Sequence, residues 1–220
     1  MAIPALPPVL LYRLDRLRVE VGAWIAHTAN VGLFIGVALL LGIGSSWYMI
    51  EVGTALTTVR QGPWTAWTNA ATNNLDPYTR AHYARRGSLP LSASIAATYE
   101  ARYDDDGHRL HSSCEYLLES PPLEASWWSL AAYDSGGLLI PNPADRHVFT
   151  SETYAPNPDG GFYIVLARDA RPGNWLPVGG AGRLNLVLTL VEPRSAPAAG
   201  DPFAEVRRGP LPAIKRISCR

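Results

Sequence analysis

Leu184–Val191 reads LNLVLTLV, with Leu184, Leu186, Leu188 and Leu190 at every second position. Strand side chains alternate between two faces, so this spacing puts four leucines on one side of a strand against a core. The same period runs through Ala93, Ile95, Ala97, Tyr99, Ala101 and Tyr103, which alternate with Ser94, Thr98, Glu100 and Arg102. Both stretches are half-buried strands.

Further strands are expected on either side. Asp104-Asp105-Asp106-Gly107 turns the chain into a second strand at Ser112–Leu118, so that the first two make a hairpin. Ser126–Tyr133 (SWWSLAAY) is a third, and Ser135-Gly136-Gly137 turns into Leu138–Ile140. Phe162–Leu166 and a short last strand at Ile214–Ile217 complete the set, with a Pro/Ala loop at 193–202 between Leu184–Val191 and the end. Nineteen Gly, nineteen Pro, seven Trp and ten Tyr suit a turn-rich β domain, and no βαβ alternation is visible. The reading is all-β: a mainly antiparallel, jelly-roll-like β-sandwich over residues 93–220. Before it, residues 51–92 are a linker and one short helix. Residues 51–75 read as irregular, and Asp76-Pro77-Tyr78 then supplies an N-cap and a first-turn proline for a helix that stops at Gly87.

Val21–Ile50 is 30 residues long and carries no Asp, Glu, Lys or Arg. Its densest part, Val31–Ile50, holds 20 residues, which at about 1.5 Å each span the hydrocarbon core of a bilayer. This predicts a transmembrane anchor at 31–50. Residues 1–30 form a juxtamembrane segment in which Leu10, Leu11, Leu14, Leu17 and Val21 recur at helical spacing, either as an amphipathic surface helix or as an extension of the anchor. Arg13, Arg16 and Arg18 precede the span and Glu51 follows it, so the N-terminus is expected in the cytoplasm and the C-terminal domain in the periplasm of a bacterial inner membrane. A cleaved signal peptide is the rival; the run is long for one, and Gly44-Ser45-Ser46 is a poor cleavage site. Gly32 and Gly36 form a GxxxG, which in a glycine-rich span reads as chance.

Net charge is zero, with +1 on the first 50 residues and −1 on the rest, which is no footprint for nucleic acid. In an oxidising compartment the two cysteines, Cys114 and Cys219, are expected to pair, closing a loop of roughly 100 residues; the alternative is two unrelated thiols.

No catalytic constellation is evident. Asp134-Ser135-Gly136-Gly137 has the look of a serine-protease nucleophile, but nothing supplies the histidine context and a Gly-Gly turn explains it. Asp104–Gly107 lacks the alternate spacing of a calcium loop. His108, His111 and Cys114 are three apart, which in a strand points them to opposite faces, so no metal or other cofactor is expected.

Several pieces in order resemble a family: Asp76-Pro77-Tyr78 with its helix, the YDDDG turn at Tyr103–Gly107, Trp128-Ser129-Leu130 with Tyr133-Asp134, Asn142-Pro143 with Arg146, and Asn174-Trp175-Leu176-Pro177. Together, over roughly residues 60–220, they resemble the domain of unknown function 1214 family in its short membrane-anchored bacterial form. The resemblance implies a β-sandwich of unassigned biochemical role that commonly accompanies a second domain of unknown function, 1254. With one domain after the anchor, a separate partner polypeptide of that second type is expected. The resemblance supplies no catalytic residues.

The remaining signal is aromatic. Trp127 and Trp128 are adjacent, so one faces the core and the other outward. Trp128, Tyr133, Asn142, Arg146, Asn174 and Trp175 are the candidate binding surface, provided that the turn after Ile140 approaches the NWLP segment. The alternative is that the aromatics are core and that Arg146 and the asparagines satisfy loop backbone. Three functions follow: a non-catalytic subunit that works with a partner envelope protein, an envelope glycan- or lipid-binding module, and a hydrolase of unrecognised mechanism.

Overall fold

The structure is a computed structural model in which residues 8–51, 57–67, 76–87, 91, 95–193 and 209–220 are described. The expected start of the first long strand at Ala93 and the Pro/Ala loop beyond Pro193 lie outside these residues. The chain divides into two compact units, residues 1–53 and 54–220.

In the first unit, helix α1 runs without a break over Pro8–Glu51, so the leucine-spaced stretch before the apolar run is its helical extension. An 18-residue window within it has a mean hydropathy of 1.9 and none of that window is buried. Phe34 and Leu40 are each 76% exposed. By length and composition this helix can cross a membrane, a test that a signal sequence also passes.

Among its described residues the second unit holds α2 (Pro77–Arg86) and ten strands: β1 (Thr58–Gln61), β2 (Trp64–Trp67), β3 (Ala96–Ala101), β4 (Cys114–Ser120), β5 (Ala125–Asp134), β6 (Val148–Thr150), β7 (Phe162–Ala167), β8 (Trp175–Pro177), β9 (Leu184–Pro193) and β10 (Ala213–Cys219). They form a six-stranded sheet in the order β1-β2-β3-β9-β5-β6 and a four-stranded sheet in the order β10-β4-β7-β8. All pairings are antiparallel except β7 with β8, which is parallel. One buried cluster takes side chains from both sheets: Leu184, Leu186, Leu188 and Leu190 of β9 meet Tyr99, Leu118, Leu130, Ile164 and Leu166. Helix α2 begins as its sequence implies, with the Asp76 carboxylate accepting from the N–H groups of Tyr78 and Thr79, and ends on Gly87 at φ 62°.

Three expectations are corrected. Residues 58–67, inside the expected linker, form the hairpin β1–β2, in which Gln61 faces Trp64 across a two-residue Gly62-Pro63 turn. Gly62 has φ 59°, the first-position geometry of a hairpin turn that glycine meets without strain. The second correction concerns β3 and β4, which are not a hairpin but lie in different sheets. The turn itself forms: Gly107 N–H donates to Asp104 O, and Tyr103 bridges Arg109. His111 then pairs with Arg183 instead, and a turn from His111 to Cys114 sends the chain into the other sheet. Leu138–Ile140 is likewise a single bridge, Leu139 to Tyr133, rather than a strand.

Strand β10 is an edge strand laid on β4 with Cys219 opposite Cys114, and a disulfide joins them. Beside it Arg171 donates to both Glu115 oxygens at 2.7 and 2.9 Å. These bonds hold the Glu115 carboxyl below its ordinary 4.5 against the opposing effect of burial. A depressed carboxyl stabilises the fold fully above its unfolded value and loses that contribution as pH falls through its folded value. Wild type and Glu115→Gln are therefore expected to differ in thermal midpoint at pH 6–7 and to converge as pH falls through the folded value of the carboxyl; a gap that stays unchanged all the way down the acid range would show that the ion pair is not its source.

Candidate functional site

Pro141–Phe149 leads the chain from the Leu139 bridge into β6, and Asn142 organises it. Its Nδ2 donates to Ile140 O at 3.1 Å and Arg146 O at 2.9 Å, while its Oδ1 accepts from Arg146 N at 3.1 Å. Asp145, between them, has φ 48°, a left-handed conformation that costs a non-glycine residue on the order of 1 kcal/mol. The loop thereby carries Arg146 outward. Its guanidinium carbon sits 5.6 Å from the centroid of the buried Phe149 ring, and Nη1 donates to Trp175 O at 3.2 Å. The turn after Ile140 does approach the NWLP segment.

Asn174 plays the corresponding part on the other side. Its Oδ1 accepts from Ala155 N at 2.7 Å and its Nδ2 donates to Ala155 O and Tyr163 O, both at 2.9 Å. This amide clamps the strap between β6 and β7 at the point where β8 begins. Both asparagines are thus occupied by backbone, as the structural alternative required. Trp175, next in line, is half-buried and donates through Nε1 to Ala167 O at 3.1 Å, which fixes its ring. Register places Trp175, Val165, Leu117 and Lys215 in one row across the four-stranded sheet. On that face Tyr163 is 44% exposed and lies on β7 two residues from Val165.

Trp128 and Tyr133 do not join this corner. Trp128 is 4% exposed and stacks on Phe162 with ring centroids 4.7 Å apart, so it belongs to the core; its neighbour Trp127 is the half-exposed one. Alternation foretold that one ring faces inward but not which. Tyr133 is half-buried on β5 of the other sheet, opposite Asn185. The site that remains is Arg146 and Trp175, braced by Asn142 and Asn174. Tyr163 is the residue that the sequence reading missed; its place in FYIVLA, opposite the inward Phe162 and Ile164, was the available signal.

The polar motifs resolve as turns. Asp134 Oδ1 accepts from Gly136 N at 2.8 Å and Leu138 N at 2.9 Å, so the carboxylate of the DSGG segment is engaged by its own turn. Ligand atoms of Asp104, Asp106 and His108 lie within 4.8 Å of one another. Arg216 already brings a positive charge there, with Nε 3.8 Å from Asp104 Oδ2 and Nη2 3.2 Å from His108 Nδ1. Cys114 is in the disulfide and cannot serve as a thiolate ligand beside His108 and His111.

The comparisons with known proteins add fold and family. The VPA0106 protein of Vibrio parahaemolyticus aligns over 66% of this chain and 36% of its own, at 20% identity and a TM-score of 0.53. A putative uncharacterized protein from Burkholderia cenocepacia aligns over 73% of this chain and 43% of its own, at 16% identity and a TM-score of 0.36. This chain spans less than half the length of either. No curated protein matches it. The model of the family described as Protein of unknown function (DUF1214) matches residues 95–195, from the turn before β3 to just past β9, and takes in the Asn142–Arg146 loop and the Asn174–Trp175 clamp. Over those residues the chain matches the DUF1214 family, the one that its sequence motifs resemble.

Proposed function

We propose that this chain is a periplasmic β-sandwich, jelly-roll-like in topology, anchored in a bacterial inner membrane by α1 with its N-terminus in the cytoplasm, and that it works as a non-catalytic subunit with a partner envelope protein. The observation that carries the reading is α1: a helix with an apolar window that the fold leaves entirely unburied, where burying one Leu or Phe side chain is worth about 1.5–3 kcal/mol. A bilayer supplies that burial. The disulfide fits an oxidising compartment. The solved relative from Vibrio, whose chain extends well beyond the matched part, fits a domain that works beside another; a partner of the domain of unknown function 1254 type is the first candidate.

The Arg146–Trp175 corner is the proposed contact. Arg and Trp are the residue types most enriched among interface anchors, and Arg146 is exposed with one of its five donors engaged. Full-length tagged chain, purified from its native membrane in mild detergent after cross-linking, is expected to carry a stoichiometric polypeptide. Arg146→Ala should keep the fold, at a cost of about 1 kcal/mol for the lost carbonyl bond, and should reduce recovery of the partner at least tenfold. A chain that emerges alone after cross-linking would overturn the reading and favour the glycan- or lipid-binding module, for which Trp175 and Tyr163 offer ring faces.

A further inference from the structure

We propose that a basic recess on the domain, lined by Tyr103, Arg109, His111 and Arg183, binds a phosphoryl group. The bridges Tyr103–Arg109 and His111–Arg183 assemble it. Leu110 N–H donates to Arg102 O and Leu184 N–H to Leu110 O, which lays three short segments side by side. Leu110 and Leu184 point into the core at 0% exposure, so the residues that alternate with them turn outward together. The recess is open to solvent, with a volume of about 420 Å³.

Each lining group is poised as a donor. Arg109 is held by three contacts: Nη1 to Arg102 O at 2.8 Å, Nη2 to Asn185 Oδ1 at 3.1 Å, and its guanidinium carbon 5.6 Å from the Tyr103 ring centroid. Two of its five N–H groups are so used, which leaves three. Ser113 N–H donates to His111 Nδ1 at 3.2 Å, which makes Nδ1 an acceptor and puts the ring proton of the neutral imidazole on Nε2. Arg183 is exposed and enters no ion pair among the described residues.

No carboxylate among the described residues lines the recess. Burial first, then the charges of Arg102 and Arg183, push the Arg109 guanidinium below its ordinary pKa, and Tyr103 opposes them. The two guanidiniums of the recess make its lining positive, while Arg102 beside it is paired with Glu100 at 3.3 Å. Charge selects the ligand. Two guanidiniums match a phosphomonoester, which carries roughly −1.5 to −2 near neutral pH, whereas a carboxylate neutralises only half of their charge. The fork of a guanidinium also pairs with two phosphoryl oxygens at once. The volume leaves room for whatever the phosphate is attached to.

The test is isothermal titration of full-length chain in detergent with inorganic phosphate, with dioctanoyl phosphatidic acid and with acetate. Phosphate-bearing probes should bind at least tenfold tighter than acetate. Arg183→Gln, an exposed change, should weaken them about tenfold, and Arg109→Gln at least as much, while Arg168→Gln should leave them unchanged. Binding of both probes would make the phosphoryl group sufficient whatever its source; binding of the phosphatidate alone would identify the source as a lipid headgroup. Acetate as tight as phosphate, no binding of either probe, or an Arg183→Gln chain that binds like wild type would overturn the proposal.

Discussion

Trp128→Ala is expected to lower the free energy of unfolding by about 3–5 kcal/mol, and Trp127→Ala, one residue earlier on the same strand, by about 1 kcal/mol or less. The contrast comes from the strand alone. Trp128 is 4% exposed and forms a three-ring cluster: it lies 4.7 Å from Phe162 at an interplanar angle of 20° and 5.0 Å from Tyr154, and Tyr154 meets Phe162 edge-on at 5.3 Å. Such ring pairs add about 0.5–1.5 kcal/mol each beyond the area they bury. The stacked pair also joins β5 of the larger sheet to β7 of the smaller one, so its removal opens a cavity where the two sheets share their core. Calorimetry on full-length chain in detergent measures both variants. A Trp128→Ala chain with an unchanged midpoint and lost partner or ligand binding would return this ring to the binding surface and refute its place in the core.

Much of this architecture was legible because it rests on local chemistry. The leucines of β9, the inward residues of β3 and the caps of α2 are set by strand alternation, an Asp N-cap and a left-handed Gly, all encoded within a few residues. What was not legible is partner choice. Alternation says which side chains face the core but not which strand lies alongside, so a DDDG turn that begins a hairpin gave no sign that His111 would pair with Arg183 some 70 residues later. Strands β1 and β2 were missed because each is four residues long, too short for a period to stand out, although Gly62-Pro63 marked the turn between them. The Arg146–Trp175 contact was reached as a conditional and holds through a main-chain carbonyl, while the basic recess depends on two bridges between distant segments and had no signature in sequence.

Removal of the Cys114–Cys219 disulfide, by Cys114→Ala with Cys219→Ala, should destabilise the domain by about 4–5 kcal/mol, the chain-entropy value for a closed loop of roughly 100 residues; the sequence separation is 105. For a domain of this size that corresponds to a fall in midpoint of about 10–20 °C. The effect acts mostly on the unfolded chain, which regains the freedom of the whole segment from β4 to β10. The native side adds to it, because β10 is an edge strand with little apolar anchorage of its own. Ile214 is its one buried side chain, and every residue from Lys215 to Arg220 is exposed. Apart from the ladder on β4, its ties are polar: Asp105 Oδ2 accepts from Ile214 N at 2.8 Å and Trp64 Nε1 donates to Pro212 O at 2.6 Å at its start, Arg216 reaches Asp104 and His108, and just past its end Arg220 donates to Ser113 O and Asp169 Oδ2. With the disulfide gone, the far end of β10 should fray: its amides should exchange faster than those of β9, and a protease should trim the C-terminus from Ser218 onward first. These two readouts separate the contributions. A lower midpoint with β10 exchange unchanged would locate the effect in the unfolded chain alone, and a midpoint within about 3 °C of wild type would refute the entropic argument for this loop.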